Sequence, residues 1–143
     1  MPDPIADRFA VQDVMTRYAT GVDTRDLDLY ESCFAEDVEV SGFGPGGPIL
    51  GRQAWMAFVR KALERFGATQ HLIGNHVVEL RGDEAAMRTY VQATHVLAAD
   101  PQAILTLWAT YHTRLNREPD GWRIVEHRLE PQGMQTRRSE ERR

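Results

Sequence analysis

The sequence predicts an α+β domain in which three N-terminal helices are wrapped by a curved antiparallel sheet, giving a cone-shaped barrel with a cavity inside. Three observations predict it. Apolar residues recur at helical spacing from Pro4 to Val22 and from Arg52 to Phe66. From Thr69 onward the pattern changes to the alternation of strands. Turn signals at Arg81-Gly82-Asp83, Asp100-Pro101 and Glu118-Pro119-Asp120-Gly121 then cut that half into long hairpins.

Each element has a local reason. In the first helix, Val11, Val14, Met15, Tyr18 and Val22 make one apolar stripe, and Pro4 suits its first turn. Gly21 loosens its end, so the run Gly21-Val22-Asp23 is expected to leave the helix. Asp23 or Asp26 can cap a second short helix, Leu27 to Phe34. Val38 and Val40 mark a short strand, and Gly42 to Pro48 is a loop on composition. The third helix, Arg52 to Phe66, turns Trp55, Phe58, Val59, Ala62, Leu63 and Phe66 to one side. Strands are expected at Thr69–Leu80, Glu84–Ala98, Ala103–Asn116 and Trp122–Pro131.

A chain of 143 residues fits one domain, and such a domain buries about two-thirds of its unfolded surface. Residues 1–135 are read as that domain. Residues 136–143, with Arg137, Arg138, Arg142 and Arg143 interrupted by Glu140 and Glu141, are read as a flexible charged tail. A net charge of -4 argues against nucleic acid or an anionic membrane as partner. No apolar run is long enough for a membrane span. Asp3 and Asp7 flank the short apolar opening, so no signal peptide is expected. Cys33 is the lone cysteine; it fits a reducing cytoplasm and reads as a buried structural thiol. The scarcity of lysine, Lys61 alone, suits a GC-rich bacterial genome.

Gly-rich phosphate loops, nucleophile elbows and His-Glu-x-x-His helices are absent from the sequence. His71 and His76 lie five apart on one strand, so ideal alternation sends them to opposite faces and no metal site is expected. Acid–base chemistry is the better reading of the histidines, whose ordinary pKa lies near neutrality. His95 shares strand parity with Ala85, Met87, Thr89, Val91 and Ala93, so it points inward and needs a partner. Asp23, placed where the first helix meets the second, is the natural carboxylate for it, with His71 competing for the same role.

Tyr18-x4-Asp23-x2-Asp26, Phe34-x2-Asp37, Thr69-Gln70-His71-Leu72-Ile73-Gly74 and Asp120-Gly121-Trp122-Arg123-Ile124 stand in an order that resembles the SnoaL-like branch of the nuclear transport factor 2-like superfamily. The resemblance runs from about Ile5 to Leu129 and is closest to scytalone dehydratase, lindane dehydrochlorinase and bile-acid 7-alpha-dehydratase. It implies catalytic roles for Asp23, His71 and His95. It also implies a lyase or isomerase that moves a proton beside an activating group and needs no organic cofactor. By position, Tyr18 matches a pocket tyrosine and His127 falls near a pocket base. Trp108 and Thr110 stand where scytalone dehydratase keeps a serine and an asparagine. Phe43, Trp55 and Trp108 are the expected apolar walls, and Tyr18 an expected donor to a developing oxyanion. The substrate implied is a small apolar or polycyclic organic molecule. A polyketide cyclase, or a non-catalytic ligand-binding or assembly module, would use the same fold. Large groups on both faces of the strand carrying Ile104, Trp108 and His112 suggest a homodimer through the sheet.

Overall fold

Helix α1 (Pro4–Thr24) starts at Asp3, whose carboxylate accepts from the backbone N–H of Ile5 and Ala6. The computed structural model describes residues 2–140. The expected stripe, Val11, Val14, Met15, Tyr18 and Val22, is buried. Contrary to expectation, α1 does not end at Gly21. It runs to Thr24 and stops on Arg25, which adopts φ 61 in the left-handed region. Gly21 has a different task, because a Cβ there would lie 2.7 Å from the backbone nitrogen of Tyr30. It lets α2 (Leu27–Glu31) press backbone against α1. Asp26 caps α2 through the N–H of Leu29 at 3.1 Å.

Strand β1 (Phe34–Ser41) takes Phe34, the residue expected to end the second helix. The reason is tertiary: β1 lies beside the last strand, pairing Phe34 with Ile124 and Val40 with His127. That pairing is parallel, which corrects the expectation of a wholly antiparallel sheet. A two-residue strand, β2 (Ile49–Leu50), pairs with β1 after the glycine-rich loop. Helix α3 (Arg52–Leu63) follows both strands, so only two helices precede the sheet. It ends before Phe66 because Phe66 already pairs with Leu97.

The remaining strands are β3 (Phe66–Arg81), β4 (Glu84–Leu97), β5 (Ala103–Glu118) and β6 (Gly121–Arg138). One six-stranded sheet has the order β2-β1-β6-β5-β4-β3. Helix α1 packs on β3 and β6, and α3 on β1, β2 and β3, so the core lies between the helices and one sheet face. Residues 136–138, expected in a flexible tail, are paired strand, Thr136 with Leu105 and Arg138 with Ala103. Arg138 also bonds Asp100 at 2.9 Å. Arg142, Arg143 and Glu141 lie outside the described residues.

One irregularity reverses a strand-parity expectation. Asn75 takes φ 52, and the β3–β4 register shifts between Gly74 and Val77. His76 therefore turns to the same face as His71, where its Nδ1 lies 2.9 Å from the buried Thr89 hydroxyl. Among the described residues, no cluster of histidine, cysteine and acidic side chains could hold a metal ion.

Candidate active site

The last turn of α1 carries Asp23 to the start of β3, where alternate residues Thr69 and His71 face it. The Asp23 carboxylate accepts three hydrogen bonds. His71 Nδ1 lies 2.7 Å from Oδ1, the His71 backbone N–H donates to Oδ2 at 2.7 Å, and the Thr69 hydroxyl donates to Oδ1 at 2.9 Å. Burial by itself would raise the Asp23 pKa, but the bonds from His71 and Thr69 and the nearby imidazole outweigh it and hold it below the ordinary value. An ionised carboxylate only accepts, so Nδ1 must carry the ring hydrogen. That leaves Nε2 as the basic nitrogen of neutral His71.

A fourth residue, which the sequence reading missed, stiffens this arrangement. Arg25 donates to the Val22 carbonyl at 2.6 Å, to the Gly67 carbonyl at 2.6 Å and to Thr69 Oγ1 at 2.9 Å. A guanidinium has no acceptor, so the Thr69 hydroxyl must accept from Arg25 and give its own hydrogen to Asp23. Thr69 was discoverable, because it stands two residues from His71 on the same strand face. Arg25 carried no such signal, since the left-handed position after a helix is ordinarily occupied by glycine.

His95 faces inward as its parity predicted, but its partner is not Asp23. Its ring meets His71 edge-on at 5.6 Å and packs on Phe66 at 4.5 Å. Its Nδ1 is buried and finds no hydrogen-bond partner among the described residues. Burial, and then the neighbouring His71, push its pKa down to about 4. His95 is therefore neutral at neutral pH.

His71 and His95 line a cavity of about 220 Å³ together with Tyr18, Tyr30, Phe43, Trp55, Phe58 and Tyr111. Of the expected walls, Phe43 and Trp55 line the cavity and Trp108 does not; Tyr18, the expected donor, lines it as well. Tyr30 and Tyr111 were missed; both are buried, and burial raises both phenol pKa values. His127 lies behind this wall rather than on it. It is fully buried, with Nδ1 3.0 Å from the Thr113 hydroxyl and Nε2 3.3 Å from the Tyr18 hydroxyl, and burial depresses its pKa to about 3.

Trp108 and Thr110 are placed elsewhere. Tyr111, between Thr110 and His112 on β5, is the cavity residue, so alternation puts Trp108 and Thr110 on the outer sheet face. There they share a depression with Tyr90, Gln92 and Gln132. A larger, open depression of about 480 Å³ also lies on that side, among Glu79, Arg88, Arg114 and Glu126. Within it Arg114 pairs with Glu126 at 2.7 Å, and Glu79 pairs with Arg81 beside it.

Residues 3–128 match the family model of the SnoaL-like domain. An uncharacterized protein of Mycobacterium tuberculosis H37Rv is 32% identical over 125 residues, which cover 85% of this chain and 82% of that protein. A crystal structure from Novosphingobium aromaticivorans with a provisional scytalone dehydratase assignment superposes with TM-score 0.86 at 20% identity, covering 96% of this chain and 91% of the other. The LinA-type3 hexachlorocyclohexane dehydrochlorinase of Novosphingobium barchaimii gives TM-score 0.82 at 20% identity, covering 93% and 91%. At that identity the likeness speaks for the fold alone. The family match and the architecture together make the chain a member of the SnoaL-like domain family, with a nuclear transport factor 2-like fold.

Proposed function

We propose that the protein is a lyase or isomerase of the dehydratase kind, with His71 as the proton-transferring group. The observation that carries this reading is the 2.7 Å contact between His71 Nδ1 and Asp23 Oδ1 at the edge of an apolar cavity. Asp23 fixes the ring tautomer and favours the imidazolium that forms. Nε2 takes a proton from the carbon beside a carbonyl. In elimination, the electron pair left behind forms the carbon–carbon double bond as the β-hydroxyl departs. The imidazolium returns the proton to that hydroxyl, and water leaves. In isomerisation, the same proton returns to a different carbon. His95, held neutral, assists in hydrogen bonding, and the buried tyrosines offer donors to the developing oxyanion. This chemistry requires no organic cofactor.

An oriented imidazole facing an apolar cavity supports a lyase over a pure binding module, which needs no fixed tautomer. The same reading takes the sheet as curling into a cone around the helices. It places the protein in the cytoplasm, where a single buried thiol fits a reducing environment. It pairs two copies through the outer sheet face.

The test begins with a screen of ring-bearing β-hydroxyketones, following the absorbance of the unsaturated product. On a substrate so found, Asp23→Asn and His71→Ala should lower kcat about 100- to 10,000-fold while the variants stay folded. Near wild-type rates in both folded variants would overturn the dyad.

A further inference from the structure

Arg65 has no place in the acid–base machinery, yet it stands at its door. It lines the catalytic cavity with His71, His95 and Trp55, and also a second, adjoining cavity of about 420 Å³ under the glycine-rich loop. Phe43, Phe58 and Arg65 are the residues common to both spaces. Among the described residues, none that lines either space is acidic, and Arg65 is the one arginine or lysine.

The rest of Arg65 is fixed while its charge is free. Its backbone N–H donates to the Ala62 carbonyl at 3.2 Å, and its carbonyl accepts from Ala98 at 2.9 Å. That ties it to both the end of α3 and the end of β4. Its guanidinium rests over the Phe66 ring at 5.4 Å, and Phe66 in turn packs on His95. The neighbouring Glu64 is engaged by Lys61 at 3.1 Å, and among the described residues no carboxylate pairs with Arg65.

We propose that the substrate of this site is an amphipathic organic acid, its ring seated against Trp55, Phe43 and Phe58 and its carboxylate held by Arg65. The inference rests on the acid–base reading for where the reaction occurs, and adds the chemical class of what reacts. A planar guanidinium fork matches a carboxylate bidentately. An aromatic-lined cavity with one unpaired cation at its rim favours a molecule with an apolar body and one anionic end. The Phe66 ring separates the two ends of the site, so the carboxylate is remote from the carbon that loses its proton. Its role is then binding and orientation rather than chemistry.

The probes are 2-naphthoate and 2-naphthamide, equal in shape and different in charge, with affinities measured by calorimetry on the whole chain. The wild type should prefer the carboxylate about 5- to 10-fold. Arg65→Gln should abolish the preference and leave amide affinity within about twofold, while Arg65→Lys keeps part of it. Arg60→Gln, which removes an exposed arginine of α3 outside both linings, should change neither affinity. Equal binding of the two probes by the wild type, or a preference that survives Arg65→Gln, would overturn the proposal. So would a preference lost in His71→Ala and kept in Arg65→Gln, because the anion would then sit on the imidazole. These measurements need no turnover, so a failed dyad and a failed carboxylate site are told apart.

Discussion

At the scale of single residues, burial divides the histidines into different roles. His71 keeps a carboxylate partner and a face on the cavity. His127 has neither, and its environment tolerates only the neutral ring. Its folded pKa of about 3 lies below the ordinary value of 6.5, so between those values the unfolded chain binds the extra proton. Stability from this group is therefore full above pH 6.5 and lost as pH falls toward 3. The slope approaches about 1.4 kcal/mol per pH unit near the middle of that window. Denaturant melts from pH 7.5 to 4.5 should show this decline, and His127→Gln should flatten it. An equally steep decline in the variant would assign the effect to other groups. Sequence parity located His95 on the inner face but left His71 and His95 competing for Asp23, because parity reports which face a side chain takes, not which neighbour reaches it. Asp23 is bonded by His71 because both lie where the end of α1 meets the start of β3.

At the scale of elements, a close approach of backbones positions the site. Tyr30 reaches the cavity because α2 lies against α1 at Gly21. Alanine in a helix interior is ordinarily better than glycine by about 1 kcal/mol. Here the added Cβ would stand 2.7 Å and 2.9 Å from the nitrogen and Cα of Tyr30, and backbone cannot swing aside as a flexible side chain would. Overpacking of about 1–3 kcal/mol should win. Gly21→Ala is expected to lower stability by about 1–2 kcal/mol, read as a lower Tm; an unchanged or raised Tm would mean that α2 shifts freely. The same residue shows why the sequence reading ended α1 too early. A glycine near a helix end and a glycine under a crossing backbone look alike in the chain. The bulge at Asn75 escaped for a related reason. Asparagine tolerates the left-handed region, yet nothing in a strand pattern requires it there.

At the scale of the whole molecule, the helices cover one face of the sheet and leave the other bare. Tyr90 is 50% exposed on that outer face, and Leu72 is 67% exposed. Tyr90 borders the depression that holds Trp108 and Thr110. If two copies meet there, the wild type should sediment as a dimer, and Tyr90→Lys should give folded monomers by opposing a desolvated charge to its own copy. A wild type that sediments as a monomer at micromolar concentration would rule out this contact. The placement of Trp108 and Thr110 follows from β5 alone, since alternate residues must diverge.

By itself, the sequence determined the fold class, the buried stripe of α1, the hairpin turns and the inward side of β4, because each depends on local periodicity or on turn chemistry. It also brought Asp23 and His71 forward as the candidate acid–base pair. The tertiary structure decided what depends on contacts remote in the chain. The parallel β1–β6 pairing turned the expected end of α2 into strand. The crossing at Gly21 kept α1 going to Asp23, and the bulge at Asn75 sent His76 inward. Above all, it decided that Asp23 takes His71 rather than His95, with Thr69 bonding the carboxylate and Arg25 holding Thr69. A hydrogen bond needs donor and acceptor within about 3 Å of each other, and in a chain of this length only the folded backbone sets that distance.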